Sequence, residues 1–386
     1  MTRSASSLRL GKAIGVLLCA AILASHLLSM SRWSEDRGVN DDICYLRQAH
    51  LFQRFGVAGL DTSFARDDDG YFVAKMKKLP TWVDGQGPVC HTAMPATGKL
   101  VLQYPPGTGL VLALFPSGHQ VVPLYGACTL IIFLFACAAI WLSRSRAQLA
   151  IATVFGFVAI YVMINPVKAS YSIAPTMVLC AAAGWLTARL FVEERQKPRM
   201  LLILVIGLLI GIAVNMRVPN FLLSAGYCTY LLIAFLATTR ATQFLEGALF
   251  AVALVIGMSP TLAANAINAG SPFSTTYSDG DTVPPSFDGE TIRSYLGDPQ
   301  SLFILLSAAW TVWIWRQGQS RLALLLGSGL AINLSFFITH PIFTQYYTIP
   351  ICALTFWTLL FASLMPPDPS TRRAAAPPPR SSPARL

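Results

Sequence analysis

Residues 121–142 read VVPLYGACTLIIFLFACAAIWL, twenty-two positions without one charged side chain. About 20 such residues form a helix long enough to cross the hydrocarbon of a bilayer. Working outward, comparable runs lie near 12–30, 147–164, 172–192, 200–216, 219–237, 244–267, 301–315, 321–338 and 343–364, which makes ten in all. Over its 386 residues the chain is 54% hydrophobic and only 12% charged, whereas a soluble domain carries about 25% charged residues. So little charge cannot clothe a soluble surface, and so much apolar content excludes a disordered chain. The fold class expected is an all-α polytopic membrane protein with about ten transmembrane helices.

The net charge of +10 would point to nucleic acid in a soluble protein. In a membrane protein it reports orientation instead, and no nucleic-acid partner is expected. With the N-terminus placed in the cytoplasm, the inside segments hold sixteen Lys/Arg, among them Arg3, Arg144, Arg146, Arg199 and Arg321, against four acids. Long loops cross regardless of charge, so the short outside loops carry the test. They hold only Lys168, Arg217 and Arg293. Both termini are therefore expected on the cytoplasmic side of the membrane.

The first apolar run, Ala13 to Met30, is longer than a cleaved signal's core and lacks a small-x-small site, so it reads as an uncleaved anchor. The tail, 366–386, is rich in Pro, Ala and Arg and cannot bury a core; it reads as a disordered cytoplasmic end to a membrane domain spanning 1–365. Six of the eight cysteines fall in apolar spans, where the thiol behaves as a small hydrophobe. Cys44 and Cys90 lie in the first outside loop, where an oxidising compartment would allow a bridge between them; spacing alone leaves two free thiols equally open.

Two outside segments, 31–120 and 268–300, are too long to be plain connections, and long ordered loops are usually functional. The inside connections are short and carry no GxxxxGK[ST] phosphate loop, so chemistry is expected on the outer face. The first loop opens with Asn40-Asp41-Asp42 and ICYLRQAHLFQRFG. This predicts an amphipathic helix at the membrane surface, capped by Asn40 or Asp41 and closed by Gly56. It would hold a carboxylate pair at the membrane edge; a plain capping pair is the alternative. Asp67-Asp68-Asp69-Gly70 leaves room for a divalent cation, though a solvated turn suits it better, and Lys75, Lys77 and Lys78 could neutralise it. The loop ends in Gln103-Tyr104-Pro105-Pro106-Gly107-Thr108-Gly109 and an apolar run, 110–115, too short to span. That run would re-enter or pack on the membrane face, and such backbone needs protein or a cavity around it. Lys168, Arg217 and His340 stand at outside ends of spans, where three cations beside an acid pair suit a lipid-linked phosphate.

The pair Asp41-Asp42 ahead of a helix with Tyr45 and Ala49, followed by Tyr104-Pro105-Pro106 before the next span, resembles the bacterial GT-C membrane glycosyltransferases. The nearer likeness is to the branch of the protein O-mannosyltransferases and the lipid A aminoarabinose transferase. Gly270-Ser271-Pro272-Phe273 with Tyr277 is similar to a segment seen in many of them. The resemblance implies a polyprenyl-phosphate sugar donor, an acceptor on the periplasmic side among membrane lipids, and inversion at the anomeric carbon. It implies Asp41 and Asp42 as the catalytic pair, with Asp42 where Glu is commoner. Tyr45, Tyr104 and Tyr277 would line the substrate site. Arg217, Lys168 and His340 match no motif of the family, and their assignment to the donor phosphate follows from their charge. No cofactor is required by this chemistry. Unlike larger relatives, the chain carries no soluble C-terminal domain, which leaves the acceptor open. A secondary transporter is the competing reading, against which stand the lack of an internal repeat and of acids at span centres. A catalytically silent assembly partner is a third.

Overall fold

The computed structural model describes residues 2–33, 40–79, 83, 87–163, 170–192, 196–277, 284–340 and 343–365, without the side chains of 2–5, 40–41 and 196–198. Lys168, the tail 366–386 and the side chain of Asp41 lie outside the described residues. The elements run α1 (Thr2–Met30), α2 (Asn40–Phe55), α3 (Tyr71–Met76), β1 (His91–Met94), β2 (Lys99–Leu102), α4 (Gly107–Leu112), α5 (Val121–Leu142), α6 (Arg146–Tyr161) and α7 (Ile173–Val192). Then follow α8 (Gln196–Met216), α9 (Ala225–Thr238), α10 (Ala241–Ala269), α11 (Gly289–Gly297), α12 (Gln300–Arg316), α13 (Ser320–Thr339) and α14 (Ile349–Leu364).

Each of the ten apolar stretches is helical. Among the described residues, seven helical segments are long and apolar enough to cross a membrane: Ser6–Met30, Val121–Leu142, Ile173–Val192, Arg199–Met216, Val218–Thr238, Ala241–Ala269 and Ser320–Thr339. The other three, α6, α12 and α14, have 16, 17 and 16 residues. The chain is an all-α, multi-pass membrane protein. The last stretch, expected from 343, begins its helix only at Ile349, with Pro350 in the first turn where its missing N–H leaves no bond unmade.

Helix α14 is the centre of the bundle. Pro350 to Phe361 are all buried, and Trp357 packs edge-on against Phe155 of α6 and tilted against Phe135 of α5. A helix apolar on every side is stable only when surrounded. Gly184 of α7 lets it approach, since a Cβ there would lie 2.8 Å from the Cβ of Trp357. Helices α8 and α10 meet backbone to backbone: a Cβ on Gly257 would come within 2.5 Å of the Leu208 carbonyl, and one on Gly211 would strike that of Leu254. Small residues at such a crossing supply the van der Waals packing that holds helices together in lipid.

Pro260 lies inside α10 and lacks the N–H that would bond the carbonyl one turn back, at residue 256. Asn215 of α8 braces this weakened turn. Its Oδ1 accepts from the Thr261 N–H (3.0 Å) and hydroxyl (2.7 Å), while its Nδ2 donates to the Gly257 carbonyl at 2.7 Å. One side-chain amide thus ties α8 to both sides of the proline.

The two ends of the bundle differ. At one, Lys12 Nζ donates to the Trp141 carbonyl at 2.6 Å, Gln148 Nε2 donates to the Ser363 carbonyl at 2.8 Å, and Arg199 forks onto Glu246 at 2.7 and 3.1 Å. The first two contacts gather the turn between α5 and α6 with the start of α1 and the end of α14, and the third ties α8 to α10. The opposite end carries α2 to α4 and the hairpin.

Candidate functional site

Helix α2 is not the surface helix its sequence predicts. Residues from Asp42 to Ala49 are buried without a break, Asp42, Arg47 and Gln48 included, and His50 is partly exposed. Arg47 is fully enclosed. Its Nη1 donates to the Thr62 carbonyl (3.0 Å) and to His91 Nε2 (2.6 Å), its Nη2 donates to the Ser63 carbonyl (2.9 Å), and the rings of Phe64 and Phe72 flank it at 5.5 and 5.4 Å. The segment 56–66 and the hairpin thus cover the face that periodicity assigned to water. Burial pulls the Arg47 guanidinium down to about 10, against the opposing pull of Asp67. Burial, then the Arg47 charge, holds His91 at about 3, so it stays neutral and accepts at Nε2 while Nδ1 donates to the Val89 carbonyl at 2.7 Å.

Cys44 and Cys90 form a disulfide, which ties α2 to the strand β1 next to His91. That settles the alternative left open by spacing. The hairpin itself, with Met94 paired to Lys99 around a Gly98 of positive φ, was not expected; Pro95-Ala96-Thr97-Gly98 is the turn signal that could have revealed it. All three acids are engaged, and Arg54 reaches both Asp68 and Asp69. Asp67 accepts the Phe72 and Val73 N–H groups at the start of α3, Asp68 pairs with Arg54 at 2.6 Å, and Asp69 pairs with His50 at 2.7 Å. The Arg54 hydrogen bond holds the Asp68 carboxyl below its usual range. Among the described residues, no group of three or more His, Cys, Asp or Glu is placed to hold a metal ion.

The bundle side of α2 faces the candidate site. Asp42 is 1% exposed and its Oδ1 accepts the Tyr171 backbone N–H at 3.0 Å. Tyr171 packs edge-on against Trp33 and Tyr125, with ring centroids 5.7 and 6.3 Å apart. Tyr125 lies within electrostatic range of both Asp42 and Tyr346. Arg217 stands over the rings of Tyr346 and Tyr347 at 4.7 and 5.1 Å. It is 8% exposed, and among the described residues its guanidinium has no hydrogen bond and no ion pair. Asp42 and Arg217 thus lie at the same tyrosine-rich region, one held by the Tyr171 N–H and the other over Tyr346 and Tyr347.

The three tyrosines singled out from sequence come together. Tyr45 stacks on Tyr104 at 5.1 Å, and Tyr277 meets Tyr104 edge-on at 6.1 Å. Helix α4 seats that cluster: Gly107 abuts the Asn215 backbone so closely that a Cβ would overlap it, and the Thr108 hydroxyl donates to the Met216 carbonyl at 3.3 Å. In the apolar run 110–115, Leu112 is buried against the bundle while Leu110 and Leu114 stay exposed. Beside it opens a cavity of about 380 Å³, bounded by Gln103, Pro105, Val218, Thr261, Thr276 and Phe336 among others. His340 does not join Arg217 through any contact among the described residues. Its Nδ1 donates to the Phe336 carbonyl at 2.8 Å and its ring stacks on Phe336.

Sequence reasoning missed Tyr125, Tyr171 and the Tyr346–Tyr347 pair. An aromatic residue inside an apolar span gives no signal of its own, whereas adjacent tyrosines after His340 were a visible polar flag. No protein-family model matches this chain, and no curated protein matches it in sequence.

Proposed function

We propose that the protein is a membrane glycosyltransferase that moves a sugar from a polyprenyl-phosphate donor to an acceptor on the outer face, with inversion. The observation that carries this reading is Arg217, a nearly buried guanidinium held between tyrosine rings with no anionic partner among the described residues. An uncompensated buried cation is costly, and a phosphate supplies both the charge and the oxygen acceptors that a guanidinium fits. In this reading the phosphate of the donor lies against Arg217. The acceptor hydroxyl lies toward the Asp41–Asp42 pair, which takes its proton as general base. The acceptor oxygen bonds to the anomeric carbon from the face opposite the phosphate, the bond from that carbon to the phosphate oxygen breaks, and polyprenyl phosphate leaves. Arg217 stabilises the charge that grows on the departing phosphate. The apolar cavity beside Val218 and Pro105 gives the first isoprene units a place off the water. The ten helices would then span a bacterial inner membrane with both termini inside and this site periplasmic.

The test is transfer of radiolabelled sugar from a polyprenyl-phosphate donor by purified protein in liposomes. Asp41→Asn, Asp42→Asn and Arg217→Ala are each compared with the native chain. Loss of about 100-fold or more in Arg217→Ala and in at least one aspartate variant is expected. Full transfer in all three removes the reading, and uptake of solute without any transfer product replaces it with the transporter.

A further inference from the structure

At the end of the bundle away from the candidate site, a crevice of about 560 Å³ lies between the end of α7, the turn joining α12 to α13, and the end of α14. Its floor is apolar, formed by Phe191, Ile314, Leu322 and Leu359. Its rim is polar: Gln317, Gln319, Ser320 and Arg321 all border it. The tight turn through Gly318, with φ of 85°, crowds these four onto one edge. Among the described residues, the side chains of Gln317, Gln319 and Arg321 have no hydrogen bond or ion pair, and Arg316 next to the turn has none either. The level of the crevice in the membrane is marked by tryptophans. Trp313 and Trp315 are exposed here, and at the same end Trp141 and Trp185 sit beside Lys12 and Arg189. Tryptophan and basic residues at one height mark the interface between hydrocarbon and headgroups.

An apolar floor below a cationic and amide rim at that height is the shape of a phospholipid with its headgroup up. We propose that this crevice binds an anionic phospholipid of the leaflet opposite the candidate site, with the lipid phosphate at Arg321, Gln317 and Gln319 and its upper chain on Leu359 and Phe191. Charge complementarity selects this occupant. The tail that follows Met365 carries Arg372, Arg373, Arg380 and Arg385 and no acid but Asp368, so it would meet Arg321 with like charge. A zwitterionic lipid would fit the floor but would bring a second cation to the rim. The site is independent of the glycosyltransferase reading.

The experiment is native mass spectrometry of the full chain, delipidated in detergent and titrated with phosphatidylglycerol or with phosphatidylcholine of the same chains. One tight phosphatidylglycerol is expected, with weaker phosphatidylcholine. Arg321→Glu replaces attraction by repulsion at the surface and should weaken phosphatidylglycerol about tenfold or more. Arg240→Glu, an exposed residue at the start of α10, is expected to leave that affinity unchanged. Ala362→Phe fills the floor while keeping every rim charge, and is expected to reduce binding of both lipids. Equal affinity for the two lipids overturns the proposal. So does unaltered binding in Arg321→Glu, or an equal loss in Arg321→Glu and Arg240→Glu, which would show diffuse surface charge instead of a site.

Discussion

Replacing Arg47 with Met keeps most of the side chain's length and removes its charge. Three charge-assisted hydrogen bonds disappear, to the Thr62 and Ser63 carbonyls and to His91 Nε2. At about 1.5–3 kcal/mol each, they sum to about 5–9 kcal/mol. Against that, the native guanidinium is strained by burial. Its shift from 12.5 to about 10 corresponds to about 3 kcal/mol that the neutral side chain no longer bears. The thioether also keeps contact with the flanking Phe64 and Phe72 rings. The net loss expected is about 2–6 kcal/mol, confined to the layer of α2, segment 56–66 and the hairpin because every lost partner lies there. Hydrogen exchange followed by mass spectrometry reads it directly: amides of 56–66 and 88–104 should lose protection, while those of α8, α10 and α14 hold. Native protection in those segments would refute the account of Arg47 as their anchor. Equal loss throughout the bundle would refute the separation between outer layer and core.

Three further outcomes follow from the same geometry. Because His91 is held near 3 in the folded protein and titrates near 6.5 unfolded, its contribution is intact above about pH 6.5. It should fade as pH falls toward 3, by about 1.4 kcal/mol per pH unit, and His91→Gln should flatten that slope in a melting series. Asn215→Leu removes three side-chain hydrogen bonds, to the Thr261 N–H and hydroxyl and to the Gly257 carbonyl, beside Pro260. The cost should be about 2–5 kcal/mol, seen as a lower melting temperature of the purified protein with the site variants unaffected. Gly211→Val must force α8 off α10 where a Cβ has no room; a loss of about 1–3 kcal/mol is expected, and an unchanged melting temperature would contradict that crossing.

The helices were legible because lipid imposes one demand, about twenty apolar residues per crossing, that composition states openly. The ends were less so: α14 begins six residues after the apolar run because Pro350 and the tyrosines before it carry apolar character without helical geometry. The periodicity of α2 was read correctly as a helix and misread as a surface. Arg47 and Gln48 look like solvated positions in one dimension. The hairpin and the segment 56–66 fold over Arg47, and Tyr104 with Gly109 of α4 closes over Gln48, which makes both interior. In the candidate site, Tyr45, Tyr104 and Tyr277 were singled out by the resemblance of their surrounding motifs, and the three rings do meet. Tyr125 and Tyr171 were not, since their importance comes from Asp42, which reaches them across the chain by a bond no local pattern encodes.

The central place of α14 has a consequence for biosynthesis. Chains emerge N-terminal end first, so the helix that every neighbour leans on is made after all of them. Until Trp357 leaves the ribosome, α5, α6 and α7 have a vacant slot where their shared partner belongs. The assembling protein must wait as a loose ring of helices in the bilayer, and stopping translation before α14 should yield a protease-sensitive intermediate instead of a smaller stable bundle.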